Sequence, residues 1–453
     1  MTLLNNIEHH AQKNGDCIAI KIDAQQITYN SLKDKIAEKH YKLQHIERQA
    51  TVALNLQNPL TLIIYYLAVL QSNAIPCVID YRWPQETKNK LYKQYDINYE
   101  INNDEEIAQL HHDIMNQYLE DILHIGFTSG TTGLPKAYFR NEQSWLVSYE
   151  QHDLMMEIVP DYIISPGPIA HSLALFACVY ALYIGKTFVG QQQFDATKLL
   201  KDMCMMKSNV AFFGVPTMIQ QLAHQNIKVP QLSHLFSTGD KFNHNLRVSI
   251  EQQFANAIVI EFFGSSEASY ISYNYNNEAP NHSVGKLFPN VATSITDKDE
   301  RGIGLLSIKS NMTFSGYVPQ RINNNEWIAI GDYASIDNDD FLYLHGREHD
   351  RIIIGGENVY PIEIERAMAL NEAVHEVLVI SQNHHKFGEL AILLYTGNRQ
   401  IDYKEMREFL STKLTRYQIP SKIVKVPKMV YTSSGKIARK EMQSKYEEGR
   451  FNI

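Results

Sequence analysis

The chain has 453 residues, enough for about two to four domains with an ample core. Its 42 Lys+Arg against 50 Asp+Glu give a formal net charge of -8 with no basic cluster, so nothing marks a surface for nucleic acid. Four cysteines, Cys17, Cys77, Cys178 and Cys204, stand far apart without Cys-x-x-Cys spacing; they suggest neither a zinc site nor a disulfide framework and read as small buried residues.

The N-terminal stretch holds Asn5, Asn6, Glu8, His9 and His10 and lacks the apolar core of a signal peptide, which favours a cytoplasmic enzyme. From Ile27 a strand leads into a helix capped near Asn30 or Ser31, and residues 51–56 form the next strand. Residues 60–70 read as a helix, 75–79 as a strand and 88–95 as a helix, an alternation that indicates a mostly parallel α/β sheet. The apolar runs 60–70 and 173–184 fall short of the ~20 residues that span a bilayer and read as buried helices. Past residue 283, turn signals such as Asp297-Lys-Asp, Asn323-Asn-Asn and Asp337-Asn-Asp-Asp separate short strands, as a β-rich subdomain would. A helix over 361–368 opens on Pro361 with Glu363 and Glu365 close behind. Strands at 377–381, 390–395 and 422–426 with a helix at 403–414 complete a small α+β unit that begins near His349. The expected fold is α/β, with a large N-terminal domain over 1–348 of mostly parallel α/β subdomains plus the β-rich one, then a small α+β domain over 349–453.

One loop carries most of the chemistry. Residues 122–127 read as an apolar strand that delivers Thr128-Ser129-Gly130-Thr131-Thr132-Gly133-Leu134-Pro135-Lys136 to a sheet end, where amides, hydroxyls and a lysine can converge on phosphate. It is not a Walker A loop, which needs four residues between its glycines and Ser/Thr directly after the lysine; here Lys136 is followed by Ala137. Phe263-Gly264-Ser265-Ser266-Glu267, Gly331-Asp332, Gly346-Arg347 and Ser434-Gly435-Lys436 follow in that order.

Together these five motifs resemble the adenylate-forming superfamily of acyl-CoA synthetases, peptide-synthetase adenylation domains and luciferases, over nearly the whole chain. The resemblance implies ATP, Mg²⁺ and a thiol acceptor such as coenzyme A. It casts Thr128, Ser129, Gly130, Thr131, Thr132, Gly133 and Lys136 as the holders of the β- and γ-phosphates. Glu267 becomes the Mg²⁺ ligand, which suits an ion that takes one or two carboxylates plus phosphate oxygens and water, and Ser266 stands where threonine is usual. By the same resemblance Phe263 and Gly264 lie beside adenine, although a core phenylalanine fits the same pattern, and Gly239 in Ser237-Thr-Gly-Asp-Lys lines its other side. Asp332 and Arg347 bind the ribose, and Lys436 bridges the carboxylate and the α-phosphate. The small domain is then mobile, with His349 as its hinge.

The acyl group is expected near Pro166-Gly-Pro-Ile-Ala-His171, where His171 either borders the carboxylate pocket or merely caps the following helix. Ala170-His171 replaces the Phe-Asp of amino-acid-activating relatives, which disfavours an α-amino acid. Phe212-Phe-Gly214-Val-Pro-Thr217 forms an apolar wall suited to an alkyl or aryl acid, and Gly356 in Gly355-Gly-Glu-Asn-Val-Tyr360 resembles the pantetheine-tunnel loop. Departures from the family pattern are Ala137 for glycine, Ile330 for threonine, His349 for Asp or Lys, and a shortened region before Thr128. The sequence therefore implies a ligase that joins a small-molecule carboxylic acid, fatty or otherwise apolar and of unspecified chain length, to coenzyme A through an acyl-AMP. A stand-alone enzyme loading an acyl carrier protein is the alternative, and a silent acyl- or nucleotide-binding protein a third reading.

Overall fold

The computed structural model describes residues 2–114, 121–128, 134–322, 326–431 and 437–451. The chain divides into two compact units: residues 1–292 with 309–328, and residues 293–308 with 329–453. The second unit thus gathers residues 293–308 and 329–348 with the C-terminal segment.

In the first unit, six neighbouring strands, Ile18–Ile22, Thr187–Gly190, Tyr162–Ile164, Val210–Gly214, Leu232–Ser237 and Ile258–Ser265, run parallel. Antiparallel strands flank them: Gln25–Thr28 at one edge, Ser269–Tyr275 and Ser283–Leu287 at the other. Val210–Gly214 is buried at every residue, as expected where helices cover a parallel sheet. Leu199, Leu200, Met203, Phe212, Leu235 and Phe254 build the core beside it. The same unit holds a six-stranded sheet in which Tyr99–Ile101, Thr51–Leu54, Ile75–Val78 and Ile122–Thr128 are parallel neighbours. Lys136–Asn141 returns antiparallel to Ile122–Thr128. The mostly parallel α/β reading is borne out, and the two apolar runs are the buried helices Pro59–Gln71 and Ser172–Tyr183.

In the second unit the strands Ala292–Thr296, Gly304–Lys309, Ile328–Ile336 and Phe341–Arg347 are neighbours in sequence order. The long antiparallel pair Val374–His384 and Gly388–Gly397 carries Lys422–Lys425 in parallel. Helix Pro361–Met368 packs Ile364 and Met368 into a core with Val379, Leu393 and Met406.

Local details differ from expectation. The second helix, Tyr29–Lys42, is capped by Thr28, whose side chain accepts from Ser31 N, so the helix starts directly at the strand end rather than near Asn30 or Ser31. The helix expected at 403–414 ends at Ser411. Cys77 and Cys178 are buried, but Cys17 is exposed and Cys204 half-buried. Among the described residues no helix is long and apolar enough to cross a membrane.

Candidate active site

Three neighbouring parallel strands of the first unit end at one place. Val210–Gly214 delivers Gly214, Leu232–Ser237 delivers Thr238 and Gly239, and Ile258–Ser265 delivers the turn Ser266-Glu267-Ala268. The carboxyl ends of strands in an open α/β sheet are where such folds bind ligands, because loops there are free of the hydrogen-bond ladder. Gly264 is required by the hairpin itself: a Cβ there would lie 2.0 Å from the Ser269 carbonyl oxygen, inside the pairing of Gly264 with Tyr270.

Thr128 pairs in register with Lys136 across a hairpin of the smaller sheet, so the two ends of the phosphate-loop motif meet. Lys136 is exposed, and its ammonium sits 5.4 Å from the ring centre of Tyr317. Tyr317 in turn donates a 2.7 Å hydrogen bond to Glu267 Oε1, and Glu267 O accepts from Phe314 N at 2.7 Å. Glu267 is therefore half-buried and held rather than a solvated loop acid. Burial, then the Glu267 charge, push the Tyr317 phenol well up, so it stays a donor. Ser129, Gly130, Thr131, Thr132, Gly133 and Lys436 lie outside the described residues.

Beside this cluster is a cavity of about 220 Å³. Gly239, Gly264 and Ser266 line it, as the sequence anticipated, and so do Ser172 and Leu173 at the start of the helix that follows His171. Phe262 lines it and Phe263 does not, which follows from the two-residue alternation of a strand. Phe263 remains half-buried on the strand beside Ser272. Gly214 packs against Phe212, whose side chain is in the sheet core, so neither forms the cavity wall.

His171 occupies the cap position of helix Ser172–Tyr183 but makes no side-chain cap bond. Its Nε2 instead accepts from Arg82 Nη2 at 3.2 Å and lies 3.6 Å from Asp80. Arg82 grips Asp80 with two bonds, Nε to Oδ1 at 2.8 Å and Nη2 to Oδ2 at 2.6 Å. Burial alone would raise the Asp80 carboxyl; the guanidinium outweighs it and holds the group well below the usual carboxylate range. Asp80 and Arg82 border a second, larger groove of about 1230 Å³.

Sequence reasoning missed Arg140, Tyr138 and Tyr317. Arg140 is 2% exposed and lines the cavity. Its Nη1 donates to Ser144 Oγ at 3.2 Å and Met312 O at 2.8 Å, and its Nη2 donates to Ser266 O. A charged residue inside the strand Lys136–Asn141, otherwise buried from Ala137 on, was the available signal. Tyr317 had none, being 50 residues from Glu267.

In the second unit, Asp332 and Arg347 are cross-strand partners, with Arg347 Nε 3.3 Å from Asp332 Oδ1. Asp332 is buried, and Arg347 also donates to Ile330 O at 3.2 Å. Gly356 forms with Gly355 the two-residue turn between Ile352–Ile354 and Glu357–Val359; φ is +63° and +95°, the left-handed pair a tight hairpin needs.

Residues 99–318 match the family described as AMP-binding enzyme. The chain is 40% identical over 461 residues to VraA of Staphylococcus haemolyticus, named as a candidate long chain fatty acid-CoA ligase, with 100% of both chains covered. It belongs to the adenylate-forming enzymes of acyl-CoA synthetase type. The Staphylococcus epidermidis VraA is 42% identical over 451 residues, covering 99% of each. O-succinylbenzoate coenzyme A synthetase of Bacillus subtilis, solved in complex with AMP, shares the fold with a TM-score of 0.83 at 20% identity, covering 97% of this chain and 98% of that one. The acyl-CoA synthetase assignment makes this protein an AMP-forming acid–CoA ligase, and the silent-binder reading falls away.

Proposed function

We propose that the enzyme uses ATP and Mg²⁺ to convert a largely apolar carboxylic acid to its acyl-AMP, and then passes the acyl group to coenzyme A in the cytoplasm. One observation carries this reading: Ser266 lines the cavity while its neighbour Glu267 shares Tyr317 with Lys136. A place for an acyl group thus adjoins a cation, a hydroxyl and a held carboxylate, the donor set that suits a metal–phosphate group. Among the described residues no three His, Cys, Asp or Glu cluster as a metal cage. A Mg²⁺ at Glu267 would then complete its shell from phosphate and water; when bound, it would neutralise phosphate charge.

Thr128 and Lys136, with residues 129–133, would hold the β- and γ-phosphates. Gly239, Phe263 and Gly264 would neighbour the adenine, and Asp332 with Arg347 the ribose. Lys436 would supply the charge that lets two anions approach, and the Gly355-Gly356 turn would border the thiol's path. His171 and Gly214 would serve from behind, His171 by fixing Arg82 and Gly214 by letting the strand end close on Phe212. The names of the VraA relatives support a fatty acyl group, as do Leu173, Phe176 and Phe262 on the cavity wall. A moving body over 349–453, turning at His349, would let one enzyme run both half-reactions.

The test is acid-dependent release of pyrophosphate from ATP, followed by thioester formation with coenzyme A. Pyrophosphate release without thioester would remove coenzyme A as the acceptor; no release with any acid would remove the reading.

A further inference from the structure

We propose that the acid this enzyme activates is short and carries, on its tail, an oxygen acceptor such as a ketone or second carboxylate that Arg140 recognises; this rests on the ligase reading above.

The size argument comes from the cavity. A dry cavity of about 150 Å³ takes one benzene, so by that scale about 220 Å³ takes an acyl group of roughly nine heavy atoms. A chain of about sixteen carbons would need close to twice that room. The relatives' names include a long chain, but the cavity is open on one side, and a tail of that length would have to leave through its mouth.

The acceptor argument comes from the wall. Trp145, Leu173, Phe176 and Phe262 would cover an apolar stem, but Arg140 lies among them with Tyr138 and Thr238. The Arg140 guanidinium feels the Glu267 charge but bonds only neutral oxygens among the described residues, and its Nε–H is buried without an acceptor. Burial lowers the guanidinium only to about 10, so it stays charged at neutral pH. A buried guanidinium with one N–H left unpaired is costly, and a pocket for a plain alkyl tail would be better lined there by leucine or methionine. An oxygen on the substrate supplies the missing acceptor and returns selectivity for that cost.

The competing role for Arg140 is a clamp, since it joins the Ser266 and Met312 carbonyls. A clamp and a recognition group differ in what their loss does to different acids. The wild-type enzyme is assayed by pyrophosphate release on heptanoate, 6-oxoheptanoate, hexanedioate and hexadecanoate, then Arg140→Met and Arg140→Lys on the same four. Recognition predicts that wild type favours at least one of the two acceptor-bearing acids over heptanoate by about tenfold or more in kcat/KM, with hexadecanoate poorest. Arg140→Met should erase that preference, lowering kcat/KM on the acceptor-bearing acids by at least about tenfold more than on heptanoate, and Arg140→Lys should restore part of it. Preference of wild type for heptanoate or hexadecanoate overturns the proposal whether or not the variants fold. So does an equal loss on all four acids in Arg140→Met, the signature of a clamp. No release with any acid would sink the ligase reading, and this proposal with it.

Discussion

Tyr317 joins the two charged residues expected at opposite ends of the phosphate site, donating to Glu267 Oε1 at 2.7 Å while Lys136 lies over its ring at 5.4 Å. The phenol orients the carboxylate and limits where the ammonium rests. Tyr317→Phe keeps the ring and removes only the hydroxyl. A hydrogen bond to a charged group contributes about 1.5–3 kcal/mol, less where solvent screens it, so adenylation should slow by roughly three- to tenfold. The Mg²⁺ needed for half-maximal rate should rise too, with the thermal midpoint nearly unchanged. Titrating Mg²⁺ at fixed ATP measures this, and an unaltered profile would separate Tyr317 from the metal site.

Glu267→Gln probes the same place from the metal side. The amide is close in shape but a poorer ligand, so the Mg²⁺ requirement should rise more steeply than in Tyr317→Phe. Combining the two changes should cost less than the sum of the singles, because each acts on one carboxylate. Strict additivity would mean that the two residues act separately.

Lys436→Ala should abolish adenylate formation and spare conversion of supplied acyl-AMP and coenzyme A to thioester, since the lysine is proposed for the phosphate step alone. The two half-reactions are measured apart. Equal loss in both would point to a structural lysine.

Much of this was legible beforehand because it is local. The strand that ends at Thr128 and the buried helices Pro59–Gln71 and Ser172–Tyr183 each follow from residues close in sequence, whereas the Gly355-Gly356 hairpin and the Asp332–Arg347 pairing were not read from it. What stayed hidden depends on distant packing. Arg140 reaches the carbonyls of Ser266 and Met312, 126 and 172 residues away, and no periodicity reports that. Phe212 looked like a pocket wall because it is apolar and follows the right spacing, but strand alternation and the covering helices place it in the core. The helix cap is Thr28 rather than Asn30 or Ser31 because strand and helix abut without a loop.

Acid should unfold the first unit through two buried histidines. His124 and His152 are both pushed down to about 3, chiefly by burial, from an ordinary value near 6.5. Each bonds a tyrosine, Tyr66 and Tyr270, at 3.1 Å. The folded value lies below the unfolded one, so the unfolded chain binds more protons between about pH 6.5 and 3. Stability is therefore full above about 6.5 and falls as pH drops through that window, by up to about 1.4 kcal/mol per pH unit for each histidine. Asp80, also depressed, adds to the loss only at the acidic end. The thermal midpoint should drop from pH 7 to pH 5, and His152→Gln should flatten that slope even if it lowers stability at pH 7. A parallel slope in the variant would show that His152 is not buried neutral.

The proposed pivot has a structural counterpart inside the second unit. Arg439, half-buried and three residues past Lys436, binds Asp350 Oδ2 at 3.2 Å and Glu365 Oε1 at 2.8 Å, tying the short turn Glu348–Asp350 to the helix Arg439–Glu447. Anything that turns at His349 therefore carries the segment containing Lys436 with it. Proline at 349 fixes its own φ and restrains residue 348. His349→Pro should then leave acyl-AMP formation near normal and reduce thioester formation by about tenfold or more, whereas His349→Ala should spare both, because a pivot needs torsional freedom and not an imidazole. Arg439→Met, which leaves two carboxylates without their cation, should lower the thermal midpoint and weaken both half-reactions alike. If His349→Pro, folded by circular dichroism, runs both reactions at wild-type rates, the turn lies elsewhere in the chain and Arg439 is only a brace.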